Sequence, residues 1–287
     1  MSSLKEIKAR IASILSTQKI TAAMKMVSSA KLHHAQALTE RTVLYADRLS
    51  TIVGALLSAE CDLDSPYMVI RPVRRVTLVV CSSSAGLCGT YNANVWKALE
   101  GKLEAYKRDD VVVELIPVGK KVADELRYAG VPFVADFQTT GEKPSYEGAM
   151  ALAEHLTQGF IEGKSDKVEL LYHHFKNTAT QMLTDRVYLP LSLDGIGTGK
   201  EDSVDFILEP SAVELRDRLF PKLLNLMIYT MLLDTSTAEH AARMMAMQTA
   251  NDNANDLLQQ LTLQYNKTRQ QSITNELLDI MGGASGS

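Results

Sequence analysis

The octapeptide Ser82-Ser-Ser-Ala-Gly-Leu-Cys-Gly89 lies between a Val-rich run and a helix-patterned stretch. Open parallel sheets bind phosphates at such a position, on backbone N–H groups at a helix start. It offers only Gly86 and Gly89, so it meets neither the dinucleotide fingerprint nor the Walker A pattern and reads as a structural turn. Gly195-Ile-Gly-Thr-Gly199-Lys200 is nearer to a phosphate loop. It has three residues between Gly195 and Gly199 where four are needed, and Glu201 stands where Ser or Thr would hold magnesium.

His33-His34 and His173-His174 are the metal-ligand candidates. Adjacent residues point about 100° apart on a helix and to opposite faces of a strand, so neither pair chelates one ion alone. Surface or partly buried histidine is the better reading. Glu154-His155 and Glu239-His240 lack the second histidine of a metalloprotease helix. Cys61, Cys81 and Cys88 are an odd number with no CxxC spacing, so neither a disulfide framework nor a zinc ribbon is indicated and a reducing compartment fits best. These residues require no cofactor and no metal.

The elements that would hold them divide the chain. Lys222 to Met281 is 60 residues without Gly or Pro, roughly 90 Å as a helix. Its apolar or small stripe is Leu224, Ile228, Met231, Thr235, Ala238, Ala242, Met245 and Thr249, resuming in a shifted register at Ala254, Leu258, Leu261, Tyr265 and Thr268. Leu4 to Val53 is equally uninterrupted. Its stripe is Leu4, Ile7, Ile11 and Ile14, after which Gln18, Thr21, Lys25 and Ser28 occupy the same positions and the apolar face moves to Ile20, Met24, Val27 and Ala30. Two such helices at opposite ends of one chain predict an antiparallel coiled coil carrying a separate domain.

That domain reads as alternating strands and helices. Strands are predicted at Arg75–Cys81, Val111–Val118, Val131–Phe137, Lys167–Phe175 and, at an edge, Asp185–Leu193. Helices are predicted at Asn92–Arg108, Lys120–Ala129 and Tyr146–Glu162. This order implies a largely parallel, Rossmann-like α/β sheet. Asp62–Pro72 and Asp194–Asp205 read as linkers. Ser211 with Glu214 makes a capping box for the C-terminal helix, which Pro221 should kink or split, and Gly282–Ser287 has no helix propensity. The expected organisation is a long helix over 1–60, an α/β domain over 73–193 and a second long helix over 210–281.

Composition sets limits on function. The net charge of −4 excludes an overall basic nucleic-acid binder, yet residues 1–31 carry Lys5, Lys8, Arg10, Lys19, Lys25 and Lys31 against Glu6 alone. That stretch suits an acidic partner surface. Its helix has only Tyr45 as an aromatic, which argues against nucleic acid. No apolar run nears the roughly 20 residues of a membrane span, and the N-terminus lacks the apolar core of a signal peptide, so a soluble protein is expected. The methionines of Arg243-Met-Met-Ala-Met247 suit loose packing against a partner helix or another protein.

Several of these stretches together resemble the gamma subunits of F-type ATP synthases. They are Ile7-Lys-Ala-Arg-Ile11, Thr17-Gln-Lys-Ile-Thr21 and Ala23-Met-Lys-Met-Val27 at the start, then Leu87-Cys-Gly89 with Tyr91-Asn92 in the middle. Toward the end come Glu239-His-Ala-Ala-Arg-Met244 with Ala246-Met247, Tyr265-Asn-Lys267 with Arg269-Gln270, and Ile273-Thr-Asn-Glu-Leu277 with Asp279-Ile280. They follow the family's order and cover the chain.

The resemblance implies an antiparallel coiled coil of terminal helices with a Rossmann-like domain. It further implies the non-catalytic rotating shaft of a proton-translocating ATP synthase, one copy inside a ring of alpha and beta subunits, joined to an epsilon subunit and the membrane c-ring. ATP would be made or hydrolysed on beta. Partner contacts implied in the same way are Met24, Lys25 and Arg243 near acidic lever loops of beta, and Arg269, Gln270, Thr274 and Glu276 at a catch region. The implied location is peripheral, on the cytoplasmic face of a bacterial inner membrane, or the mitochondrial matrix side or plastid stroma for an organellar protein. Plastid relatives carry a redox cysteine pair ahead of the last helix, and Asp194–Pro210 contains no cysteine.

Overall fold

A computed structural model describes residues 3–59, 65–192 and 211–284. The elements in order are α1 (Leu4–Ala59), β1 (Arg75–Cys81), α2 (Tyr91–Arg108), β2 (Val112–Val118), α3 (Lys120–Tyr128), α4 (Tyr146–Ile161), β3 (Lys167–Asn177), β4 (Thr180–Leu189) and α5 (Ala212–Ala284). The chain divides into two compact units. One joins Met1–Ser29 to Arg243–Ser287, and the other is Ala30–Ala242.

The larger unit holds a four-stranded sheet in the order β2-β1-β3-β4. β1 pairs in parallel with both β2 and β3, and β4 closes the edge antiparallel to β3. The Val-rich β1 is buried from Val76 onward because both faces of a parallel sheet are covered. Alternate residues feed two cores. Leu78 and Val80 pack with Val95 and Leu99 of α2 and Val122 and Leu126 of α3. Val79 and Cys81 face Leu152 and Phe160 of α4, Leu49, Val53 and Leu56 of α1, and Phe220, Leu224 and Ile228 of α5.

Helix starts are set by side-chain caps. Ser145 Oγ accepts the Gly148 N–H at 3.1 Å, and Ser211 Oγ accepts the Glu214 N–H at 3.2 Å. α1 has a reciprocal box that the sequence reading passed over. The Glu6 N–H donates to Ser3 Oγ and the Ser3 N–H to Glu6 Oε2, each at 3.2 Å.

Several expectations are corrected. Val131–Phe137 is irregular rather than a strand. Pro132 has no N–H, and the Val131 N–H is spent on Leu126 O at the end of α3, leaving a single bond from Val134 N–H to Leu115 O at 2.9 Å. β4 begins five residues before the expected Asp185 and ends at Leu189. The Asn177 side chain accepts the Ala179 and Thr180 N–H groups and turns β3 directly into it. Pro221 does not split α5. It removes one helical bond, while Phe220, Leu223 and Leu224 beside it are buried in the core. α5 also continues through Gly282 and Gly283 to Ala284, since lengthening an existing helix gains a bond per residue without a new nucleus. The Asp194–Asp205 linker lies outside the described residues.

Gly119 ties β2 to the loop after β1. Its φ is +105°, and a Cβ there would stand 2.1 Å from Ser82 O. Gly119→Ala is expected to destabilise the chain by at least about 3 kcal/mol, through strain and a backbone clash that no rotamer relieves. Urea denaturation followed by circular dichroism checks this, and an unchanged midpoint would remove Gly119 from the list of structural requirements.

Candidate functional site

The loop 82–89 is folded on itself. Ser82 Oγ accepts the Val122 N–H at 3.0 Å, and Ser83 O accepts the Lys121 N–H at 3.0 Å. Asn92 Oδ1 accepts the Ser83 N–H at 3.1 Å, its Nδ2 donates to Ser83 Oγ at 2.8 Å, and Ser83 Oγ donates to Ala85 O at 2.7 Å. Ser82 and Ser83 are buried. Ser82, Ser83 and Asn92 thus join β1, α2 and α3, in keeping with a structural turn. Gly195–Lys200 lies outside the described residues.

His33 and His34 are both exposed on α1. His173 and His174 point to opposite faces of β3. His174 Nδ1 meets Asp234 Oδ2 at 2.6 Å, and the same carboxylate accepts the Phe175 N–H at 2.8 Å. Burial pushes the Asp234 carboxyl up, and those two bonds work against it. His173 is buried and stacked on Tyr91, ring centroids 4.1 Å apart. Its Nδ1 has no hydrogen-bond partner among the described residues, and burial pulls its pKa down to about 4. The Tyr91 hydroxyl donates to Thr235 O at 3.2 Å, so the stack also anchors α5. No group of three or more His, Cys, Asp or Glu suited to a metal ion occurs among the described residues.

The smaller unit is an antiparallel helix pair. Gln18 lies opposite Asn255 and Thr21 opposite Asn251, so partner numbers fall as α1 advances. Leu4, Ile7, Ile11, Ile14, Gln18, Thr21, Lys25 and Ser28 of α1 are all covered there, in unbroken alternating steps of three and four, with Ala22, Met24 and Ser29 partly covered beside them. The expected move of the stripe to Ile20, Met24, Val27 and Ala30 is therefore wrong for three of the four. Ile20 and Val27 are each 57% exposed and Ala30 is exposed, while Met24 is partly covered. On α5 the positions Ala254, Leu258, Leu261, Tyr265 and Thr268 are covered as expected, but Met245 and Thr249 are exposed and Met247 is buried in their place.

Polar atoms fill this part of the seam. Gln18 Nε2 donates to Asn255 Oδ1 at 2.5 Å, and Asn251 Nδ2 donates to Gln18 O at 3.0 Å and to Thr21 Oγ1 at 3.4 Å. Asn251 and Asn255 were missed in the sequence. Extending the α5 spacing three residues back from Ala254 reaches Asn251, and that was the available signal.

The expected partner contacts fall into distinct environments. Lys25 is a seam residue and half-covered, and Arg243 is buried. Arg269, Gln270, Thr274 and Glu276 are exposed on α5. At about 100° per residue, Arg269 and Glu276 share one side of the helix and Gln270 and Thr274 another. Thr274 Oγ1 donates to Gln270 O at 2.9 Å, and Glu276 accepts from Ser272 Oγ at 3.4 Å. The six cations of the N-terminal stretch make no ion pair among the described residues; five are exposed. This surface can receive an acidic partner but has no group arranged for covalent chemistry.

A family model described as ATP synthase matches residues 3–286. The ATP synthase gamma chain of Parabacteroides distasonis is 69% identical over 285 residues, covering 99% of both chains. That of Phocaeicola vulgatus is 51% identical and that of Bacteroides fragilis 47%, again with 99% of each chain covered. Among solved structures, a chain of the Euglena gracilis mitochondrial ATP synthase rotor is similar in fold, with a TM-score of 0.63 at 20% identity over 94% of this chain and 98% of that one. A chain of the Tetrahymena thermophila central stalk and c-ring gives 0.60 at 24% over 80% and 99%.

The buried His173 predicts a pH effect of definite sign. Between pH 6.5 and about 4 the unfolded chain binds a proton that the folded chain excludes, so stability falls as pH drops through that window. The depressed Glu169 and Asp166 carboxyls act only below their ordinary values of 4.5 and 3.8. His173→Phe should keep the stack on Tyr91 and flatten the stability–pH slope between about pH 6.5 and 5. Urea midpoints measured across that range test it, and parallel slopes would count against the assignment.

Proposed function

Because the chain belongs to the ATP synthase gamma chain family, we propose that it is the central rotor shaft of a proton-translocating ATP synthase. In this reading proton flow through the membrane sector turns the shaft, and its turning changes the state of each beta subunit, where ATP is made or hydrolysed. The chain itself is non-catalytic. The observation that carries the proposal is the α1 face of the smaller unit, where the exposed apolar side chains Ile20, Met26 and Val27 stand on the same helix as the exposed cations Lys5, Lys8, Arg10 and Lys19.

The proposed assembly has one copy of the chain inside a ring of alpha and beta subunits, with an epsilon subunit and a membrane c-ring as further partners. No helix of the described residues is long and apolar enough to cross a membrane, which fits a peripheral attachment on the cytoplasmic face of the bacterial inner membrane. Met24, Lys25 and Arg243 are assigned to contacts with beta-subunit levers, and Arg269, Gln270, Thr274 and Glu276 to a catch that senses shaft angle. Stiffness and steric contact transmit the torque, because each exposed charge pair supplies only about 0.2–1 kcal/mol.

Co-expression with the alpha and beta subunits of the same enzyme, reconstituted with its membrane sector, tests the proposal. The intact chain should enter the complex and support ATP-driven proton pumping, while a chain ending at Arg243 should lose pumping. Arg269→Ala alone should lower the pumping rate by less than about fivefold, the equivalent of one exposed pair. Failure of the intact chain to join the ring would end the shaft reading.

A further inference from the structure

Between Gln18 and Ser28 the amphipathic order of α1 is inverted. The residues facing α5 are Gln18, Thr21, Lys25 and Ser28, while Ile20 and Val27 lie on the side turned roughly 130° from them. Within this stretch alone, apolar burial would place Ile20 and Val27 in the seam, against the side on which Leu4, Ile7, Ile11 and Ile14 of the same helix are covered. The polar stretch therefore has to be held in line with that apolar stripe by contacts of its own.

We propose that Asn251 and Asn255 are positioning residues that fix the rotation and register of α1 against α5, so that the apolar face of α1 points outward. Asn251 Nδ2 reaches the Gln18 backbone carbonyl at 3.0 Å, a contact that depends on where the helix stands lengthwise. It also reaches Thr21 Oγ1 at 3.4 Å, and Gln18 Nε2 reaches Asn255 Oδ1 at 2.5 Å, contacts that depend on which side faces in. Asn255 Nδ2 to Asn251 Oδ1 at 3.5 Å links the two asparagines one turn apart. Asparagine in the seam of a helix pair selects one arrangement at a cost in stability, and Asn251 and Asn255 are partly buried there, so rival alignments give up these specific bonds. Only the consequence for coupling rests on the shaft reading; the helix orientation does not.

The test uses the full chain with Cys61→Ser, and spin labels at Ser16→Cys and Asp256→Cys, both exposed. Pulsed EPR should give one narrow distance. Asn251→Leu with Asn255→Leu should bring the loss of that single distance, with a second or broad population, at an equal or higher melting temperature. Adding Ile20→Gln and Val27→Gln removes the competing face and should restore one distance. In the assembled complex the Leu pair should hydrolyse ATP with fewer protons pumped per ATP. If the Leu pair does not fold, Asn251→Ser alone carries the same distance measurement. A single unchanged distance in the variant overturns the proposal while leaving the shaft reading intact. If instead the unsubstituted chain fails to couple, the shaft reading fails, and the EPR distances still decide the orientation claim.

Discussion

Everything in this fold depends on covering helices of 56 and 73 residues. Tertiary packing, more than helix propensity, holds such helices in a folded chain, so each turn needs a neighbour on at least one side. In the larger unit the neighbour is a sheet core. There α1 contributes Leu49, Val53 and Leu56 and α5 contributes Phe220 to Leu232, each buried side chain adding about 1.5–3 kcal/mol. Farther from the sheet, but still in that unit, Thr39 Oγ1 and Thr237 Oγ1 meet at 3.1 Å. In the smaller unit each helix has only the other, and the seam there is partly polar.

That difference in covering explains the distribution of charge. The sheet unit has exposed ion pairs such as Arg127–Asp124, but one of its clusters serves a buried carboxylate. Glu169, almost fully buried, is held by Lys102 at 2.5 Å and Lys167 at 2.6 Å, and burial pushes its carboxyl up while these two lysines and Tyr106 more than reverse the effect. Lys102 also reaches Asp185, binding β4 to the same cluster. Five of the six cations of the N-terminal stretch have no such inward task and are exposed, while Lys25 is half-covered in the seam.

Much of the fold was legible in the sequence because it rests on local rules. The Val-rich β1, the Ser211–Glu214 cap and the limits of α1 follow from propensity and spacing within a few residues. The errors came where distant groups decide. Val131–Phe137 has strand composition, but Pro132 has no N–H and the Val131 N–H is spent on the end of α3. Ile20 and Val27 look like core to a rule that buries apolar residues, yet Asn251 and Asn255, more than 200 positions away, hold the polar side inward. The cationic stretch was visible as composition. Which of its residues face the seam was fixed only by pairing.

The smaller unit is built from the two ends of the chain. Gln18 and Asn255 are separated by 237 positions. At roughly 5–20 residues per second of synthesis, the first helical turns wait about ten to fifty seconds before their partner exists. During that interval the sheet unit has most of its own chain and can fold, while Leu4 to Ser28 has no place to dock. The docking of Leu4 to Ser28 therefore waits for its partner helix to be made, and until then the seam side chains Ile7, Ile11 and Ile14 are a surface that a chaperone or a waiting assembly partner has to shelter.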